Sequence, residues 1–221
     1  MDLMDVIGPV MIGPSSSHTA GAVRLGLLAA SILGEKPVKA EIELHGSFAQ
    51  TYRGHGTDLA LLAGLMGWLP DDSRIPQAKS LAGENGLGYT FSKVNLGELA
   101  HPNTVRFRLV GAGGASCQVT GSSIGGGQVS VTEIDDFPVE LNGRLPGVLV
   151  LHRDQCGVIA LVSGELAEAG INIAGMRVFR TDKGGLAIMI IECDQKVAPE
   201  TLEKITHLMA VESVRFINNV L

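Results

Sequence analysis

The sequence is poor in aromatic residues, which make up 4% of it. It therefore offers no row of rings on which nucleic-acid bases could stack. It also has no excess of basic residues: the formal charge is −6, and lysine and arginine are scattered. On both grounds nucleic acid is not an expected partner. No apolar run is long enough to span a bilayer, so no membrane association is expected. The opening Met1-Asp2-Leu3-Met4-Asp5 is acidic where a secretory signal would be basic, and we expect a cytoplasmic protein. Cysteine is scarce and dispersed, at Cys117, Cys156 and Cys193, with no C-x-x-C pair. An odd, widely spaced set argues against a disulfide framework. Iron–sulfur motifs keep at least two ligands close in sequence, so no metal or cluster site is expected in this chain.

Glycine, by contrast, is abundant at 29 residues, which implies many tight turns and close backbone approaches. A chain of 221 residues makes one or two domains and can bury a core without staples.

The densest chemistry lies in Gly13-Pro14-Ser15-Ser16-Ser17-His18-Thr19, just ahead of an apolar run from Ala22 to Leu33. Proline is excluded from a helix interior, while serine and threonine are good N-caps. The spacing predicts a helix over 18–33, with Leu25, Leu28, Ala29 and Ile32 on one face and Gly34 at its end. Hydroxyls, an imidazole and free backbone N–H groups then meet at one helix N-terminus, a place that favours a carboxylate or phosphate. A cap needs one hydroxyl, and this stretch carries four.

A half-wet strand follows over 38–44, running into His45-Gly46-Ser47. Arg53-Gly54-His55-Gly56-Thr57-Asp58 leads into a second helix, with Thr57 or Asp58 as the expected cap. Flanked by glycines, His55 is open to solvent or ligand. Residues 70–88 read as a loop with a short helix near Gln77–Leu81, and 89–94 as a possible strand. Strands are expected over 105–110, 116–120 and 128–134, separated by turns at 111–114 and 122–127. Ser123-Ile124-Gly125-Gly126-Gly127 lacks the ending of a P-loop, but its backbone can approach a small substrate. The texture changes over 135–146, where a domain boundary is expected, with domains at 1–140 and 147–221.

The second part reads β-α-β-β-α-β, the ferredoxin-like unit. Its first helix carries Val158, Leu161, Val162, Leu166 and Ala169 on one face, and its second, opened by Pro199, carries Leu202, Ile205, Leu208 and Met209. Strand 186–191 is apolar throughout, so its second face should be covered by the first domain or by another chain.

With Asp154-Gln155-Cys156-Gly157-Val158-Ile159 and Gly170-Ile171-Asn172-Ile173, this unit resembles an ACT domain along its whole length. The resemblance implies an amino-acid effector site lined by Asp154, Gln155, Gly157 and Asn172, and self-association through the ACT unit. Where such domains often have proline before the helix glycine, this chain has Cys156.

In the first part, the serine run, His45-Gly46-Ser47, Gly54-His55-Gly56-Thr57-Asp58, His101-Pro102-Asn103 and Ser123–Gly127 occur in order. Together they resemble the β subunit of two-chain, iron–sulfur-dependent L-serine dehydratases. The implied class is α+β, with an N-terminal allosteric-substrate-binding-like α/β domain before the ferredoxin-like ACT domain. The implied reaction turns L-serine into pyruvate and ammonia. The resemblance places a four-iron four-sulfur cluster, the Lewis acid for the serine hydroxyl, on a partner α chain. It also implies His55 as the base and His18 as a second imidazole at the site. Ser15, Ser16, Ser17 and Thr19 would hold the carboxylate, with Asn103, Ser123, Gly125 and Gly126 completing the wall. The competing reading is a stand-alone amino-acid sensor, its first domain a second effector pocket without catalysis.

Overall fold

The computed structural model describes residues 9–221, so most of the lead expected over 1–12 lies outside the described residues. Two sheets organise the chain. The first contains β1 (Pro37–Leu44), β2 (Gly88–Lys93), β3 (Thr104–Gly111), β4 (Ser116–Gly125), β5 (Gln128–Ile134) and β6 (Phe137–Leu141). Its order is β2-β1-β3-β4-β5-β6. Only β1 and β2 run parallel, and that pairing requires a long crossover. The crossover carries α2 (Gly46–Thr51), α3 (Thr57–Leu65) and α4 (Ala78–Glu84), while α1 (Gly21–Leu33) precedes β1.

One face of this sheet takes the apolar side chains. Ala40, Ile42 and Leu44 of β1 and Val105, Phe107 and Leu109 of β3 join Leu25, Leu28, Ala29 and Ile32 of α1 in one core, as the alternation predicts. The other face is wet. There Glu43 pairs with Arg108 at 2.7 Å, Arg108 bonds Gln118 at 3.1 Å, and Gln118 bonds Glu133 at 3.1 Å.

Several local expectations change in this unit. The helix start is earlier than residue 18, because a wide π-helical turn over Ser16–Ala20 precedes α1. Ser122 and Ser123 are strand rather than turn: β4 continues to Gly125, held in part by the Ser123 N–H donating to the Asn103 carbonyl at 3.0 Å. The stretch after Ile134 yields a sixth strand. Asp135 and Asp136 take positive φ (47° and 68°), the tight turn that folds β6 back on β5.

The second sheet contains β7 (Gly147–Arg153), β8 (Ile173–Arg180), β9 (Leu186–Cys193) and β10 (Val211–Ile217), in the antiparallel order β10-β7-β9-β8. Helices α5 (Val158–Glu168) and α6 (Pro199–Thr206) complete the ferredoxin-like βαββαβ unit. Val148, Val150, Met189 and Ile191 pack with Val158, Val162, Leu166 and Ile205 of the helices. The buried stripe of α5 is thus strictly i, i+4, i+8. Leu161, expected on it, is 47% exposed, and Ala169 is exposed beyond the helix end. Met209 lies past the end of α6 and is 78% exposed.

Leu149, Ile188, Ile190 and Ile217 point the other way and join the core of the first unit. The first unit therefore covers the second face of the apolar strand. Between the units, Arg215 Nη1 donates to the Ile32 carbonyl at 2.7 Å, satisfying one open carbonyl at the end of α1. No helix among the described residues is long and apolar enough to cross a membrane.

Candidate active site

The site begins with a cap. Ser15 has extended backbone, and its Oγ accepts from the His18 N–H at 3.3 Å. The following turn is wider than α, with the Gly21 N–H donating back to the Ser16 carbonyl. His18 and Thr19 are buried in this turn, His18 to 9% exposure. Glycine at 21 is required by the strand beside it, because a Cβ there would sit 2.1 Å from Ser123 Oγ. This close approach sets the helix start against β4 and unites two parts of the predicted site.

Helix α2 supplies the next side chains. Ser47 and Thr51 are one helical turn apart and reach His18 Nε2 from the same side, at 3.4 and 3.2 Å. The ring of Phe48 meets His18 edge-on at 5.2 Å. The loop 101–104 ties α2 to β4: the Pro102 carbonyl accepts from the Phe48 N–H, and that of Asn103 from the Ser123 N–H. His101 Nδ1 accepts from the Asn103 N–H at 3.1 Å, which orders the loop.

His55 stands exposed after α2, its N–H donating to the Thr51 carbonyl at 3.0 Å. Its ring lies 4.7 Å from that of His18 at an interplanar angle of 81°. The two histidines, 37 positions apart in sequence, thus form one pair. The helix α3 behind them is not capped by Thr57 or Asp58. Gly56 (φ 69°) takes the N-cap position, and Asp58 turns inward to accept from the Leu59 N–H and pair with Lys79.

The other predicted residues differ in burial and bonding. Ser16 and Ser17 are half-buried in the first turn, and Asn103 is half-buried in its loop. The hydroxyls of Thr19, Thr57 and Ser123 are buried and make no hydrogen bond. Ser15 is occupied with His18 through both its backbone and ring nitrogens, so it serves the histidine rather than a carboxylate. Gly125 (φ 110°) closes β4 opposite Gln128, Gly126 and Gly127 form the hairpin turn (φ 59° and 78°), and the Gly127 carbonyl accepts from Arg24 at 2.7 Å. A Cβ on Gly125 would meet nothing within 4 Å, so no neighbouring surface closes on it.

The four residues expected to line an effector site lie at two ends of the second sheet. Asp154 follows β7, at the end where Arg153 pairs with Leu186. It accepts from Arg180 and the Gly184 N–H at 2.8 and 3.0 Å. Gln155 and Gly157 are exposed beside it. Asn172 precedes β8, at the end where Ile173 pairs with Cys193, and bonds Asp194. Strands β7 and β8 run parallel with β9 between them, so a single chain cannot bring Asp154 and Asn172 together.

The cysteines are equally dispersed. Cys117 is buried in β4, with its thiol pushed up to about 12 chiefly by burial, and Cys193 is buried at the end of β9. Cys156 is exposed after β7. A cluster needs converging thiolates, and this arrangement does not fit one.

Burial, and then the neighbouring His55, hold the His18 pKa below the ordinary imidazole value. The unfolded chain therefore binds this proton more readily. The stability contributed by neutral His18 is present above about pH 6.5 and is lost as pH falls through the lower folded value. We expect the urea midpoint to fall between about pH 7 and about pH 5 more steeply in the parent than in His18→Gln. Equal slopes would assign the dependence to another group.

Comparison with known proteins identifies the family. The profile described as serine dehydratase beta chain matches residues 3–86, and the ACT domain profile matches residues 147–206. The chain is 43% identical over 206 residues to a probable L-serine dehydratase beta chain of Bacillus subtilis, covering 93% of each. It is 40% identical over 191 residues to the L-serine dehydratase beta chain of Peptoniphilus asaccharolyticus, covering 86% of each. The chain belongs to the serine dehydratase beta chain family. A D-3-phosphoglycerate dehydrogenase of Bacillus subtilis is also similar, 27% identical over 198 residues, covering 89% of this chain but 37% of that protein. This beta-chain family member is thus similar in sequence to part of a larger dehydrogenase. Ser47 and Thr51 are the site residues that sequence reasoning missed, although their i, i+4 spacing after His45-Gly46 is visible in the sequence.

Proposed function

We propose that this chain is the beta chain of an L-serine dehydratase, converting L-serine to pyruvate and ammonia together with an α chain. The observation that carries the proposal is the exposed His55 beside the buried His18, at the start of a hydroxyl-rich helix. Elimination of water from serine needs a base for the α-proton, a clamp for the carboxylate and help for the departing hydroxyl. A neutral imidazole suits the first task. Hydroxyls and N–H groups at a helix start suit the second. We assign no cluster ligand to this chain and place help for the hydroxyl on the partner, as an iron–sulfur centre.

In this reading the serine carboxylate lies against Ser16, Ser17 and the first N–H groups of the turn. Thr19 and Ser123 form the floor, and Asn103 forms one side. His55 takes the α-proton. The C–H electron pair forms the Cα–Cβ double bond as the Cβ–O bond breaks, and the departing hydroxide takes the proton from the His55 imidazolium and leaves as water, which restores the base. The aminoacrylate released becomes the imine, and water converts that to pyruvate and ammonia.

The chain and its α partner, expressed separately and together under anaerobic conditions, should form pyruvate and ammonia only when combined. Iron should follow the partner. A combined preparation with no turnover, alongside serine binding by this chain alone, would favour the amino-acid sensor instead.

A further inference from the structure

We propose that Thr51 is a positioning residue: its hydroxyl fixes His18 as the neutral tautomer with hydrogen on Nε2, which leaves His55 as the ring that takes the substrate proton. The functional consequence rests on the dehydratase reading, whereas the tautomer does not.

Thr51 Oγ1 donates to the Ser47 carbonyl at 2.8 Å, one turn back in α2. Its single proton is thereby engaged, so towards His18 Nε2, 3.2 Å away, it can only accept. Nε2 must then carry hydrogen. On the other side of the ring, Ser15 Oγ accepts from the His18 backbone N–H at 3.3 Å, which leaves its own proton for Nδ1 at 3.4 Å. With hydrogen on Nε2, the donors of Thr51, Ser15 and His18 all have acceptors, and the Ser47 hydroxyl, at the longer 3.4 Å contact, is the one donor in this set without one. The opposite tautomer has Ser47 donating to Nε2 and both His18 donors converging on Ser15 Oγ. It would leave Thr51 facing Nε2 lone pair to lone pair, at the shorter of the two contacts on that nitrogen. Burial favours the neutral ring in either case.

Both nitrogens of His18 are therefore engaged within the chain. Its ring lies 4.7 Å from that of His55, which is exposed and reachable. A neutral neighbour lets His55 accept a proton without like-charge repulsion, and a cationic one would oppose it. Thr51 thus acts on the reaction through His18 and without touching substrate.

The test uses the full chain labelled with 15N-histidine, with His18 resonances assigned by their loss in His18→Gln. The expected pattern in neutral solution is a protonated Nε2 and an unprotonated Nδ1. Thr51→Val should shift His18 towards the other tautomer or a mixture, and Thr51→Ser should restore the parent pattern. In the reconstituted two-chain enzyme, Thr51→Val should lower kcat roughly tenfold or more with little change in KM, and Thr51→Ser should recover most of it. An Nδ1–H tautomer in the parent would overturn the proposal, as would a parent-like pattern in Thr51→Val. If Thr51→Val does not fold, Ser15→Ala asks the same question from the other side. It removes the donor to Nδ1 but leaves the Thr51 acceptor, so Nε2–H should persist, and its loss would count against Thr51. An inactive two-chain enzyme with the expected tautomer would sink the dehydratase reading alone.

Discussion

His55→Ala in the reconstituted two-chain enzyme is expected to lower kcat by about a hundredfold or more, the usual loss for a general base. KM for L-serine should change far less, because the proposed clamp at Ser16 and Ser17 lies on a different segment. The acid limb of the kcat/KM profile reports the base of the free enzyme and should disappear from the residual rate. A primary isotope effect from deuterium at the α-carbon in the parent would place proton removal in the slow step. If the mutant kept its acid limb, His55 could not be the titrating group. His18 would then need to free a ring nitrogen, against its contacts to Ser15 and Thr51. The contrasting variant is Ser16→Ala, expected to raise KM with a smaller effect on kcat, as for a contact made equally in the ground state.

Much of this site was legible because its chemistry is concentrated in short stretches. The serine run could be read as a helix start, and His55 as exposed, from capping rules and flanking glycines alone. What the sequence did not convey was which hydroxyl serves which partner. Ser15, Ser16 and Ser17 look equivalent in the chain, but only Ser15 has the extended backbone that turns its oxygen onto His18. Ser123 reads as part of a turn in the sequence because three glycines follow closely. In the fold a small residue on β4 is what the close approach of Gly21 requires, and the strand runs on to accommodate it. β6 was missed for a similar reason: Asp-Asp followed by Phe-Pro reads as a break, and only the positive φ values of both aspartates convert it to a hairpin.

The second unit shows a different limit. Its helices, turns and strands followed from periodicity, including the turn in which the Gly185 N–H donates to the Asp182 carbonyl. Within one chain Asp154 and Asn172 stay apart, because proximity there depends on strand order, which local pattern does not carry. An effector contacting both residues would need Asn172 from a second chain. The covered face of the sheet cannot provide that contact, since Ile188 and Ile190 are already buried against the first unit. Self-association would have to use a sheet edge or the helical face, where Ile159 and Leu161 are about half exposed.

Gly46→Ala should cost about 3 kcal/mol or more, and it probes the packing that brings α2 to His18. Gly46 opens α2 with φ 56°, a conformation that already penalises any side chain. In addition, its Cβ would lie 2.6 Å from the Pro102 carbonyl oxygen and 2.7 Å from Pro102 Cα, both backbone atoms that cannot rotate away. Gly67 is the control. It has φ 82° but nothing within 4 Å of an added Cβ, so Gly67→Ala should show the conformational penalty alone, about 1 to 2 kcal/mol. Urea denaturation of both variants separates strain from close approach. Equal losses would mean that the loop 101–104 yields and that its contact with α2 is loose. The expected inequality has a consequence for chemistry. Relief of the clash must move α2 off Pro102, stretching the Phe48 N–H bond to the Pro102 carbonyl and carrying Ser47 and Thr51 away from Nε2. Gly46→Ala that still folds should therefore resemble Thr51→Val in activity, with kcat reduced and KM nearly kept, whereas Gly67→Ala should turn over like the parent.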